Sequence, residues 1–123
     1  MIRAWLAIAA IGGFFSVAAG AIAAHLLTGD RPTALLRMGA LYGMVHAVAL
    51  IAVAAIAEVR NRLEYPLIIS GWGFAAGMLF FSFSLFGLAL TGIDWLGLAT
   101  PFGGAGLLIG WAALALYVFR RRS

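Results

Sequence analysis

The charged positions of this chain fall into short clusters, and long apolar runs separate the clusters. Charges occur at Arg3, within residues 30–37, within 58–64, at Asp94 and at 120–122. Because ionised side chains are costly in hydrocarbon, charges collect at the ends of membrane spans. A bilayer core requires about 20 apolar residues of helix, and the apolar runs fit that length. The pattern predicts four transmembrane helices, at about 4–27, 33–57, 66–90 and 100–119.

Turn-forming residues occupy the connections between these runs. Asp30 suits a helix N-cap, and Pro32 and Pro66 suit the first turns of helices. Residues 95–101 are apolar and begin with a Trp, so they are expected to lie along the membrane surface before Pro101 starts the fourth helix. The first run is longer than the apolar core of a signal peptide, which indicates a span. Short connections predict an all-α, up-down-up-down antiparallel bundle that forms one domain over residues 1–123.

Arginines are distributed unequally between the two predicted sides of the membrane. Four spans place both termini on one side. That side carries six arginines and the other carries two: Arg3, Arg60, Arg62 and Arg120 to Arg122, against Arg31 and Arg37. Positive charge is retained on the cytoplasmic side, so we expect a bacterial inner-membrane protein with both termini in the cytoplasm. The net charge of +4 then serves contact with lipid headgroups and does not indicate nucleic-acid binding.

Composition agrees with this class of protein. Hydrophobic residues make up 65% of the chain and charged residues 10%, against about 25% charged in soluble domains. The chain has no cysteine, which excludes disulfides, thiolate metal ligands and a cysteine nucleophile.

Small residues recur along each predicted helix at close to four-residue spacing. They are Gly12, Ser16, Gly20 and Ala24 in the first helix, Gly39, Gly43 and Ala47 in the second, Gly73 and Gly77 in the third, and Gly106 and Gly110 in the fourth. Lipid is as apolar as leucine, so membrane helices associate by close packing that such residues permit. We expect these stripes to serve packing mainly within one chain, with some surface left for a partner or a second copy.

His46 is the most deeply placed ionisable residue, and it shares a helix face with Tyr42. An ionisable group inside the membrane indicates a functional site by default. The alternative is a neutral imidazole bonded to a neighbouring helix. His25 lies near a helix end, where a histidine commonly interacts with terminal carbonyls. We expect His25, Tyr42 and His46 to be enclosed by packing and not to line a cavity.

Residues for catalysis or metal binding are missing from the spans. The hydroxyl residues lack a His–Asp arrangement, and no carboxylate lies within a span to complete a metal site with the histidines. His25 and His46 fall at different depths, which argues against bis-histidine haem ligation. The expectation is therefore a protein with no catalytic residues, metal or cofactor.

Several segments, in order, resemble a known family. They are GAIAAH at 20–25, YGMVHA at 42–47, LFFSFSL at 79–85, LAL at 88–90, TPFGG at 100–104 and GW at 110–111. Together they resemble the YgdD-like family of small four-span membrane proteins, known as domain of unknown function 423. Members typically carry a glutamine where this chain has Gly43. The resemblance implies a fold and a membrane location, no established activity, and these signature positions: His25, Tyr42, His46, Ser82, Ser84, Thr100, Pro101, Gly103 and Gly104.

The resulting functional hypothesis is a non-enzymatic interaction or accessory component of a membrane complex or a homo-oligomer, embedded in the lipid bilayer. Two alternatives remain. One is a small transporter or channel that uses a site formed by His46 and Tyr42. The other is quinone or haem binding.

Overall fold

The structure is a computed structural model that describes residues 1–120 and is helical almost throughout. It comprises α1 (Ile2–His25), α2 (Asp30–Arg60), α3 (Tyr65–Thr91), a short 3-10 helix (Asp94–Leu98) and α4 (Ala99–Arg120). Within these residues, four helical segments are long and apolar enough to cross a membrane. The predicted all-α, four-span class is confirmed. Arg121 and Arg122, which contribute to the predicted charge asymmetry, lie outside the described residues.

Two helix starts differ from the sequence-based expectation. Asp30 is the first residue of α2, and Gly29 precedes it with a φ of 94°, so the N-cap assignment of Asp30 is wrong. A positive φ is easily adopted only by glycine, which places the cap one residue earlier. At the other end of the chain, α4 begins at Ala99 and not at Pro101. Pro101 still lies in the first turn, where its missing N–H removes no helical hydrogen bond.

The four helices pack mainly as consecutive antiparallel neighbours. Helix α2 packs against α1 and α3, and α4 packs against α3, while α1 makes a smaller contact with α3. Helix α4 has no comparable contact with α1 or α2. Because α3 lies between α2 and α4, a groove separates these two helices along one side of the bundle.

One hydrophobic cluster joins all four helices at the end of the bundle where α1 begins and α4 ends. It includes Trp5 of α1, Ala57 of α2, Leu67 of α3 and Tyr117 of α4. Trp5 is fully buried and meets Trp72 edge-on, with ring centroids 6.2 Å apart. Since Trp5 near the start of α1 and Tyr117 near the end of α4 both belong to this cluster, the start of α1 and the end of α4 lie at the same end of the bundle, as four antiparallel spans require.

Glycines bring the backbones of α3 and α4 into direct contact. A Cβ atom placed on Gly106 would lie 3.1 Å from the Cα atom of Gly77. A Cβ atom on Gly103 would collide with the backbone at Phe81. These contacts confirm that the small-residue stripes of α3 and α4 serve packing within one chain. In α1 the stripe is buried only in part, because Ala24 is exposed.

Candidate functional site

His46 is buried and makes hydrogen bonds through both ring nitrogens. Its side chain is 4% exposed. The Nδ1 atom lies 2.7 Å from the carbonyl oxygen of Tyr42, and the indole Nε1 of Trp111 donates to Nε2 over 2.9 Å. A carbonyl oxygen only accepts and an indole N–H only donates, so the ring is a neutral imidazole with its proton on Nδ1. This arrangement matches the neutral, bonded imidazole considered from the sequence.

Aromatic rings surround the imidazole. The Tyr42 ring is nearly parallel to it, at 6° between planes and 6.1 Å between centroids. The ring centroids of Phe74 and Trp111 lie 5.6 and 5.9 Å from the centroid of the His46 ring. Phe81 extends the group through its contact with Tyr42 at 4.9 Å. Helices α2, α3 and α4 therefore each contribute rings to one aromatic group.

This aromatic group borders the groove between α2 and α4, which has a volume of about 510 Å³. We call this space the α2–α4 groove. Its lining includes Tyr42, His46, Phe81, Pro101, Gly104 and Trp111. Tyr42 is 43% exposed, so the expectation that packing encloses it is wrong. Because Tyr42 and His46 both line the groove, the expectation that they line no cavity is also wrong. The physical reason is that α4 packs on α3 and leaves this side of α2 uncovered.

His25 stands apart from the groove. It is the last residue of α1 and its side chain is exposed, so the expectation that it is enclosed is also wrong. His46 lies sixteen residues after the start of α2, about 24 Å along the helix. The two histidines therefore lie at different depths, as the sequence indicated.

The two candidate serines of α3 have different surroundings. Ser84 donates to the carbonyl oxygen of Phe81 at 2.9 Å, and its Oγ lies 2.6 Å from the Thr100 hydroxyl. Ser82 is buried beside Gly43 on α2, together with Ser16 of α1. The Ser16 and Ser82 hydroxyls have no hydrogen-bond partner among the described residues. Ser84 thus joins α3 to α4, while Ser82 lies where α1, α2 and α3 meet.

The candidate turn at the start of α4 combines attachment to α3 with lining of the groove. Thr100 bonds Ser84, and Gly103 packs on the α3 backbone. Pro101 and Gly104 face the groove. A Cβ atom on Gly104 would meet only the Phe81 ring, at an ordinary contact distance of 3.7 Å.

Trp111 is the important residue that sequence reasoning did not select as a site residue. Its position in the middle of α4 is the available signal, because tryptophan usually lies at membrane interfaces. An indole N–H within a span needs an acceptor, and His46 is that acceptor. Over residues 1–120, no three His, Cys, Asp or Glu side chains are grouped to hold a metal ion.

These features define the class: a small integral membrane protein of four apolar helices with a polar, aromatic group between its spans. The chain belongs to the DUF423 family, described as protein of unknown function, whose profile matches residues 19–104.

Proteins that are similar to this chain are named as membrane proteins. A "UPF0382 membrane protein" of Haemophilus influenzae is 37% identical over 97% of this chain and 96% of its own length. The Bacillus subtilis "UPF0382 membrane protein YwdK" is 33% identical over 93% of this chain and 94% of its own length. The "UPF0382 inner membrane protein YgdD" of Escherichia coli K12 is 33% identical over 96% of this chain and 91% of its own length. No solved structure matches the chain.

Proposed function

We propose that this protein is a non-enzymatic accessory component of the inner membrane that associates with a membrane partner or with a second copy of itself. Both termini face the cytoplasm in this proposal. The observation that carries it is the one-sided packing of the outermost helices. Helix α4 buries a single stripe, formed by Gly103, Leu107, Gly110, Ala113 and Tyr117.

Helix α1 presents a comparable free surface on the opposite flank. Phe14 and Val17 are more than half exposed, and they border a shallow groove of about 370 Å³ between α1 and α2 that also includes Ala9 and Gly13. Small residues at a groove floor allow another helix to approach closely. The α1 face and the outer face of α4 are therefore the surfaces on which association is expected.

The absence of a catalytic role is supported by the state of His46. Its two ring nitrogens are already engaged by Tyr42 and Trp111. A general base needs a free nitrogen within hydrogen-bond reach of its substrate. His46 instead fastens α4 to α2.

Cross-linking tests the association directly, because the chain has no cysteine of its own. Single cysteines replace Phe14 on the α1 face and Ile109 on the outer face of α4, and Asn61→Cys in the exposed connection serves as the control. Oxidation in native membranes should give a specific adduct from at least one face position and none from position 61. Native mass measurement in mild detergent should then show more than a monomer. Monomer alone, with no adduct from either face, would refute the proposal.

Transport through the Tyr42 and His46 site is a second candidate, favoured by the fact that both residues line one groove. The test is proton or solute flux in liposomes that contain the purified protein. His46→Leu should abolish flux if this site conducts, whereas His25→Leu, at the exposed end of α1, should not. Equal flux from the His46 variant and the unmodified protein would exclude a conducting role for this residue.

A further inference from the structure

The α2–α4 groove has the size of a small-molecule site. From Pro101 to Trp111 its α4 wall spans eleven residues, a rise of about 15 Å along the helix. The hydrogen bond between Trp111 and His46 crosses from α4 to α2 at one end. Its volume of about 510 Å³ lies within the range of about 300 to 1,000 Å³ typical of ligand sites.

A partner helix suits this groove less well than the groove between α1 and α2. That second groove has the small residues Ala9 and Gly13 in its lining, whereas the rings of Tyr42, Phe81 and Trp111 line the α2–α4 groove. Helices in lipid associate where small residues let their backbones approach closely, and bulky rings hinder that approach. A compact molecule with an extended tail suits the α2–α4 groove better than a helix does.

The lining indicates the chemistry of the occupant. Phe81, Tyr42 and Trp111 supply aromatic surface for a planar ring. None of the lining residues is charged at neutral pH, since the only ionisable base, His46, is held neutral by its two bonds. The occupant is therefore expected to be neutral.

Tyr42 provides a hydrogen-bond donor that the described chain leaves unused. Its hydroxyl makes no hydrogen bond to residues 1–120. Tyr42 lies twelve residues into α2, about 18 Å from the first residue, at a depth where water is scarce. A polar group in hydrocarbon is stabilised by finding a partner. A ligand with an acceptor oxygen on its ring would supply that partner.

We propose that the α2–α4 groove binds a neutral, lipid-soluble molecule with a planar ring and a carbonyl acceptor, the chemistry of a membrane quinone. The ring lies against Tyr42 and Phe81, the Tyr42 hydroxyl donates to the carbonyl oxygen, and the tail leaves the groove into lipid. Binding alone is proposed, with no electron transfer. Binding in this groove is independent of the accessory role proposed above.

The test uses the full-length protein in nanodiscs, with decylubiquinone as the probe and quenching of tryptophan fluorescence as the readout. Tyr42→Phe removes only the hydroxyl, and Tyr65→Phe, at the exposed start of α3, is its control. Ala105→Leu narrows the groove from α4, and Ala112→Leu, which is also exposed on α4 but lies outside the lining, is its control. Far-ultraviolet circular dichroism checks that each variant is folded.

Saturable quenching by the unmodified protein is expected. Tyr42→Phe should raise the dissociation constant about fivefold, the usual effect of one lost hydrogen bond, and Ala105→Leu should raise it more. The two controls should bind as the unmodified protein does. Quenching that rises linearly without saturation, as simple partition into lipid would give, overturns the proposal. Saturable binding with equal affinity in Tyr42→Phe also overturns it, because the groove would then accept any apolar chain, including a lipid acyl chain.

Discussion

The indole N–H of Trp111 on α4 donates a hydrogen bond of 2.9 Å to Nε2 of His46 on α2. The two residues are sixty-five positions apart, and their helices otherwise make little contact. This bond therefore links α4 directly to α2, beside the glycine contacts that pack α4 against α3.

Removing this donor should weaken the attachment of α4. Trp111→Phe leaves Nε2 of His46 without its partner while keeping an aromatic ring. A hydrogen bond between membrane helices contributes on average about 0.6 kcal/mol and at most about 1.7 kcal/mol, so we expect a loss of about 1 kcal/mol in the free energy of unfolding. Denaturation in mixed micelles, followed by circular dichroism, measures it. Trp95→Phe, in the exposed 3-10 helix, is the control, and equal losses in the two variants would contradict the role of the bond.

Neighbouring glycines at the start of α4 should respond differently to the same substitution. Gly103→Ala forces a methyl group into the α3 backbone at Phe81, and a helix shift of this kind costs about 1 to 3 kcal/mol. Gly104→Ala places its methyl group at ordinary contact distance from the Phe81 ring, so its effect should be below about 1 kcal/mol. Thermal unfolding in one detergent compares the pair. Similar stability of the two variants would show that α4 does not contact α3 as closely as described.

Ser82 and Ser84, both buried in α3, form a second matched pair. Ser84→Ala removes the bond to Thr100 and should destabilise the protein by about 1 kcal/mol. Ser82→Ala removes a buried hydroxyl that has no partner among the described residues, so its effect should be neutral or stabilising. The free energy of unfolding of each variant decides between these outcomes. A larger loss for Ser82→Ala than for Ser84→Ala would mean that the Ser82 hydroxyl is bonded in the membrane.

Reporter fusions test the proposed orientation. Because the arginine excess lies on the side of the termini, a fluorescent protein fused after Ser123 should fluoresce, and alkaline phosphatase at the same point should be inactive. Alkaline phosphatase inserted after Gly29, in the connection between α1 and α2, should be active. The reverse pattern at both points would place the termini outside the cytoplasm.

Much of the fold was predictable because the cost of burying charge acts on short segments of sequence. The charge clusters located all four spans to within a few residues of the observed bounds, and the glycine spacing anticipated the contact of Gly77 with Gly106. Single-residue details were less predictable. The N-cap of α2 is Gly29 and not Asp30, because the backbone conformation of Gly29, and not the side-chain chemistry of Asp30, decided where the helix began.

The candidate site was predictable only in part. Its members His46 and Tyr42 are recognisable as polar residues in an apolar run, but exposure depends on what a neighbouring helix covers. Tyr42 is open to the groove because α4 packs mainly on α3, a pairing that hydropathy does not encode.

The sequence by itself determined the membrane class and the four spans, since both follow from transfer of local segments into hydrocarbon. It also determined the small-residue faces, since these follow from the four-residue spacing of glycine and alanine along each helix. Only the tertiary structure decided that Trp111 satisfies His46, that Ser84 bonds Thr100 while Ser82 does not, and that a groove separates α2 from α4. Those outcomes depend on the relative placement of helices far apart in the chain, which is set by backbone contact at a few glycines and not by the polarity of any one segment.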